Sequence, residues 1–258
     1  MVDVFEEVEE QLRSDRYRAL ALKALPWVLG VLVAALVVSL GVWGFEHYRT
    51  EAANKASEQY AQAMEDFDQG RQAEATSLWT EVSKSSSKGY KSLALQHLGA
   101  ARLAANQTAE AVKLFDQAAE AAPNNVIGDV ARLKSAFALL DTAPLKDMEA
   151  RLDPLTKEGR PYRTEAREAL AFSKLLAGDT AGARGDFVVI SLLPDAQQTA
   201  RDRARAAMAL IDSGSAKAVP GAVKAALALP PPPQIAPGAG IPGLSGLEAP
   251  QQEAPNAQ

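Results

Sequence analysis

Thr108-Ala-Glu-Ala-Val-Lys-Leu-Phe-Asp-Gln-Ala-Ala-Glu-Ala-Ala-Pro123 carries the clearest helical pattern in the chain. Ala111, Phe115 and Ala118 follow one another at helical spacing, so they share one face, and Pro123 ends the run. Small residues on such a face let a second helix approach closely, the aromatic fills the gap between neighbouring helices, and the proline stops the helix. Outward from it, Glu51 to Gly214 is dominated by Ala, Leu, Glu, Lys, Arg and Gln, all good helix formers. Breaks recur at Gly70, Ser85 to Gly89, Asn106, Pro123-Asn124-Asn125, Ala143-Pro144, Gly159 to Pro161, Gly178-Asp179 and Pro194-Asp195. They divide the segment into about eight helices, and the expected fold class is all-α. Tyr60, Met64 and Phe67, and again Leu95, Leu98 and Leu103, fall at helical spacing within the pieces.

The quoted stretch resembles the second helix of a tetratricopeptide repeat, with Ala111, Phe115, Ala118 and Pro123 at that family's spacing. Counting back, Leu98-Gly99 hold the Leu-Gly position of the first helix, while Leu95 replaces the usual Trp and Arg102 the usual Tyr. Ala75 with Trp79 lies 36 residues before Ala111 with Phe115, and Ala183 with Phe187 lies 72 after them. A period near 36 follows, and it predicts a solenoid of helical hairpins. The copy between, around Asp147 to Arg151, lacks both markers and keeps only Met148, Leu152 and Leu155, so an irregular or shifted hairpin is expected there. A nonrepetitive helical bundle is the competing reading.

Before these helices comes the one long apolar run, Trp27 to Phe45, in which Ser39 is the sole polar side chain. At 1.5 Å per residue it covers roughly 28 Å, close to the hydrocarbon thickness of a bilayer. Pro26 is expected in the first turn of this helix, and Trp27, Trp43 and Tyr48 stand where interfacial aromatics anchor a span. A buried core helix or a cleaved signal peptide are the other readings. Cleavage is disfavoured by the long charged segment ahead of the run and by its end, Gly41-Val42-Trp43-Gly44-Phe45, which lacks a small-x-small site. Arg13, Arg16, Arg18 and Lys23 precede the span, against Arg49 and Lys55 after it, so the N-terminus is expected inside. The division expected is a cytoplasmic amphipathic segment at 1–25, a transmembrane helix at 26–46, an outer repeat domain at 47–214 and a Pro/Ala/Gly-rich tail at 215–258.

In the leader, Val4, Phe5, Val8 and Leu12 share a helical face, and Glu9 with Arg13 forms a favourable pair one turn apart. It reads either as a solvated helix continuing the span or as a docking face or degradation handle. The tail, with Pro230 to Pro233, is expected to be disordered or polyproline II, as a flexible tether or a ligand for a proline-binding module, with a helical remnant at Val219 to Leu229.

The chain has no cysteine, which excludes disulfides, thiolate catalysis and cysteine-based zinc sites. A net charge of −5 with mixed signs argues against nucleic acid as a partner. Of the two histidines, His47 lies next to the span and His97 inside a repeat helix, and neither belongs to a triad or metal pattern. Ser83-Lys-Ser-Ser-Ser-Lys-Gly89 lacks phosphate-loop spacing and reads as an inter-helix loop, and Glu149 with Asp153 as a solvated face. No catalytic, cofactor-binding or metal residue is therefore assigned. Partner contacts are expected on the first helices, at Tyr60, Gln96 and Arg102. The lipid bilayer is a further expected partner. Gly30 and Ala34 form a weak small-residue face for a homo-oligomer.

The leader Glu7-Val-Glu-Glu-Gln-Leu-Arg-Ser-Asp-Arg16, the single span, the degenerate repeats and the hairpin from Arg163 to Ala183 together resemble the YfgM-like family of ancillary Sec-translocon subunits, over about residues 4 to 210. The resemblance implies a bacterial inner-membrane protein whose repeat domain faces the periplasm. It implies Sec translocon subunits and a membrane-anchored periplasmic chaperone as partners, with a role in handing secreted proteins onward. A scaffold for cell-division or cell-wall machinery is the alternative function. The proline-rich tail is outside that family's pattern.

Overall fold

The computed structural model of the chain describes residues 3–229, and within them every regular element is helical. The tail beyond, 230–258, lies outside the described residues. Helix α1 runs unbroken from Asp3 to Asp68, so the leader, the apolar run and the first helix of the repeat domain are one rod. Pro26 is therefore inside a helix and not in its first turn. The ring removes one backbone donor, and the good helix formers on either side carry the helix past it.

After α1 come α2 (Gln72–Val82), α3 (Lys88–Ala104), α4 (Thr108–Ala121), α5 (Asn125–Leu139) and α6 (Leu145–Leu152). A 3₁₀ turn at Asp153–Leu155 leads to α7 (Arg163–Leu176), α8 (Thr180–Leu192), α9 (Gln198–Asp212), a second 3₁₀ turn and α10 (Val219–Leu227). Every break named from the sequence separates two of these helices. Three of the turns show why: Gly70 and Gly178 take φ of +78° and +84°, and Asn106 takes +59°, left-handed values that Gly and Asn tolerate best. Asn124 and Asp179 cap α5 and α8 through side-chain oxygens that accept from the Ile127 and Gly182 amides at 3.1 and 2.9 Å.

The helices pair as hairpins, α1 with α2, α3 with α4, α5 with α6 and α7 with α8, and the first helices of successive hairpins also touch. The core is a chain of linked clusters, one per junction, as expected of a stack in which each hairpin buries its face on the next. Trp79 and Phe187 belong to two of them, and these two and Phe115 are at most 2% exposed. The expected irregular hairpin is present. Its buried residues Met148, Leu152 and Leu155 stand 37 residues after Ala111, Phe115 and Ala118, one position late, whereas Ala183, Phe187 and Ile190 at 72 are back in register. The slip coincides with the short α6 and the 3₁₀ turn that carries Pro154.

The ordered chain extends past Ser215, where the tail was expected to begin. Ala216 is buried in the cluster of α7, α8 and α9, and α10 packs back on α7. Gly214, at φ +78°, turns the backbone so that these small and branched residues can close the last hairpin.

Candidate functional site

The first helices of the hairpins form a common face, and its features come from α1, α3 and α5. At one end the ring of His97 on α3 stacks on Trp79 of α2, centroids 4.4 Å apart and 12° from parallel. His97 Nε2 also lies 2.9 Å from the Tyr60 hydroxyl of α1. Tyr90 adds a tilted contact with Tyr60 and donates its own hydroxyl to Ser57 Oγ at 2.8 Å. Burial, and then the charge of Lys134, hold the His97 imidazole below its ordinary pKa, so the neutral ring is favoured. Burial, then Tyr90, pushes the Tyr60 phenol upward.

Beside this cluster lies an apolar groove of about 450 Å³ between α3 and α5, lined by Ala100, Leu103, Ala104, Phe115, Lys134 and Phe137. Phe115 forms its floor because Gly99 allows it: a Cβ at Gly99 would lie 2.7 Å from the Phe115 ring. Phe137 is 50% exposed and Leu103 37%. Phe67 of α1, 36 residues before Leu103 and so at the same repeat position, is 47% exposed and lies with its ring centroid 5.6 Å from that of Trp79.

The three residues expected to meet a partner are placed differently. Tyr60 is partly buried and already bonded to His97. Gln96 is buried at 4% exposure, facing the hairpin interior. Arg102 is exposed and is engaged on its own hairpin by Glu110 at 3.4 Å and Gln107 at 3.3 Å. The groove residues Lys134 and Phe137 were missed by sequence reasoning; 36 residues before them stand Leu98 and Ala101, so the repeat period by itself does not mark them.

Ion pairs tie neighbouring helices rather than forming a reactive centre. Asp129, fully buried, is held by Arg132 at 3.1 Å and by Arg160. Asp116 receives Arg151 at 3.0 Å and the Ser135 hydroxyl at 2.7 Å, and Asp186 receives Arg167 at 2.8 Å and Lys174 at 2.7 Å. Among the described residues no cluster of His, Asp or Glu is arranged to hold a metal ion. Near the apolar segment of α1, a cleft of about 710 Å³ separates Phe45, Arg49 and Thr50 of α1 from the loop Ser86 to Gly89 and Pro123. The α1 segment from Leu25 onward contains a window apolar enough to cross a membrane, with mean hydropathy 2.4 and none of it buried in the fold.

A row of helical hairpins with regularly spaced small and aromatic packing residues is the architecture of a helical-repeat domain, a class that suggests a protein-interaction module. The tetratricopeptide repeat-like domain family matches residues 25–219, most of the chain, and the protein belongs to that family. Domains of this kind are typically binding modules and not enzymes. No curated protein and no solved structure gives a significant match.

Proposed function

We propose that this protein is anchored in the bacterial inner membrane by one span, with its N-terminus in the cytoplasm and its repeat domain in the periplasm. There it acts at the Sec translocon, passing secreted proteins to a membrane-anchored periplasmic chaperone. The observation that carries the proposal is the continuity of α1 from the apolar run into the first repeat helix. Tyr60 follows Phe45 by 15 residues. At 1.5 Å per residue this holds the binding face about 22 Å from the end of the span. A rigid mount at that height raises the local concentration of the module for chains emerging from the same membrane. The excess of Arg and Lys before the span supports the orientation.

Arg102 and Tyr60 are the proposed contacts with solvent access, whereas Gln96 would reach a partner only if the hairpin parted. The test is crosslinking in intact membranes, a mild-detergent pull-down with the full chain and with a chain ending at Leu229, and identification of captured proteins by mass spectrometry. Translocon subunits together with a periplasmic chaperone are expected. Division or cell-wall proteins without translocon subunits would move the assignment to an envelope scaffold, and charge reversal at Arg102 with no effect on capture would remove that contact.

A further inference from the structure

The cleft beside the apolar segment is walled by α1 on one side and by the loop Ser86 to Gly89 and Pro123 on the other. Its two cations, Arg49 and Lys88, come from different helices and meet in one cavity only because the first hairpin folds against α3. Glu46 is the one carboxylate in the lining, which leaves the cleft with a net positive charge. Its hold on Arg49 is loose, at 3.8 Å with both side chains more than 60% exposed, a pair worth little in water. The Phe45 ring, 5.6 Å from the Arg49 guanidinium, keeps that charge at the apolar edge. Lys88 is exposed and has no ion pair among the described residues. The hydroxyls of Ser86 and Ser87 are without partners there too, and Ser87 does not cap α3. Height along α1 decides what reaches these groups. Phe45 ends the apolar run, and Arg49, four residues on, stands about 6 Å further along the helix. The polar layer of a bilayer adds roughly 5–7 Å on each side of its hydrocarbon core, so Arg49 lies at the depth of the lipid phosphates. Trp43 and Tyr48, both exposed, flank the same level, where interfacial aromatics settle.

We propose that this cleft seats the headgroup phosphate of an anionic phospholipid from the leaflet beside the repeat domain. Arg49 and Lys88 hold the phosphate from two sides, and Ser86 and Ser87 donate hydroxyl hydrogen bonds to its oxygens. The proposal rests on the reading of the apolar run as a membrane span and adds a lipid site at its end. A zwitterionic headgroup carries its own cation, so a cleft of net positive charge favours it less.

The test is native mass spectrometry of the full chain in mild detergent, titrated with phosphatidylglycerol, with phosphatidylcholine of the same acyl chains, and with glycerol phosphate. One phosphatidylglycerol per chain is expected, bound at least about fivefold more tightly than phosphatidylcholine. Arg49→Gln and Lys88→Gln should each weaken phosphatidylglycerol binding by about fivefold. Lys84→Gln is the control, because Lys84 lies in the same loop but outside the cleft and is paired with Glu81 at 2.8 Å; its effect should stay within about twofold. Unchanged circular dichroism will show that the variants fold. Equal binding of the two lipids, indifference to Arg49→Gln, or an equal loss for Lys84→Gln and Lys88→Gln would overturn the proposal. So would glycerol phosphate binding as tightly as the lipid, which would make the cleft a site for a soluble phosphate. Flotation of the full chain with phosphatidylcholine vesicles reads the span separately. A chain that floats yet shows no lipid preference removes only the cleft, whereas a chain that stays in solution removes the span and the lipid site with it.

Discussion

Replacing Gly99 by alanine tests the packing on which the whole repeat depends. The added methyl would lie 2.7 and 2.8 Å from two ring carbons of Phe115 and 3.1 Å from a third. Favourable carbon contacts lie near 3.5–4.0 Å, so the ring or helix α3 must retreat by about 1 Å. Phe115 is 2% exposed, so relief must come from a shift of the ring toward the groove that it floors or of α3 as a whole. Overpacking of this kind costs about 1–3 kcal/mol. Alanine in a helix interior returns about 1 kcal/mol over glycine, so the net expectation for Gly99→Ala is a loss of up to about 2 kcal/mol. Gly185→Ala, on the exposed side of α8 with no atom within 4 Å of the new Cβ, makes the same chemical change without the clash. It should gain about 0.5–1 kcal/mol from propensity alone. Urea unfolding of the full chain in mild detergent, followed by far-ultraviolet circular dichroism, separates the two by the direction in which the midpoint moves. A Gly99→Ala protein as stable as Gly185→Ala would refute the close approach of α3 to Phe115.

Other expectations follow from the polar groups. The depressed pKa of His97 means that the unfolded chain binds a proton more readily, so stability should be complete above the ordinary value of 6.5 and decline as pH falls below it toward the folded value. Urea midpoints measured across that range should lose this slope in His97→Gln, and a slope that persists would assign it elsewhere. Below pH 4 a further loss is expected as Asp66, held below the ordinary carboxylate range by its hydrogen bond from Arg71, protonates, and Arg71→Gln should diminish that acid limb in the same titration. Asp129→Ala should destabilise the irregular hairpin by roughly 2–3 kcal/mol, because two guanidiniums lose their buried acceptor while keeping partial access to water; thermal melting will measure it. Asn124→Ala should cost about 1 kcal/mol through the lost cap on α5, visible as faster amide exchange at Ile127.

Where helices stop is written in the chain, because a turn is a local event: Gly70, Asn106, Pro123 and Gly178 declare it through their own backbone preferences. The period of the repeat is written there too, since Trp79, Phe115 and Phe187 recur on the packing faces of the second helices α2, α4 and α8, as is the membrane-length apolar run, which needs no partner to be legible. Tertiary structure alone decided what each first helix turns toward its neighbours. Ala63, Gly99, Ser135 and Ala171 stand 36 residues apart and are all buried, yet only Gly99 had a motif around it. The others are ordinary small residues until a ring or a helix from another hairpin lies against them. Gln96 is polar and is buried all the same, while Phe137 is apolar and half exposed, because burial depends on hairpins that are distant in the chain. The same holds for Asp129, whose guanidinium from Arg160 arrives from 31 residues away. Local preferences are set by a residue and its helical neighbours, whereas the stacking of hairpins couples residues through space, and the binding face belongs to the second kind of information.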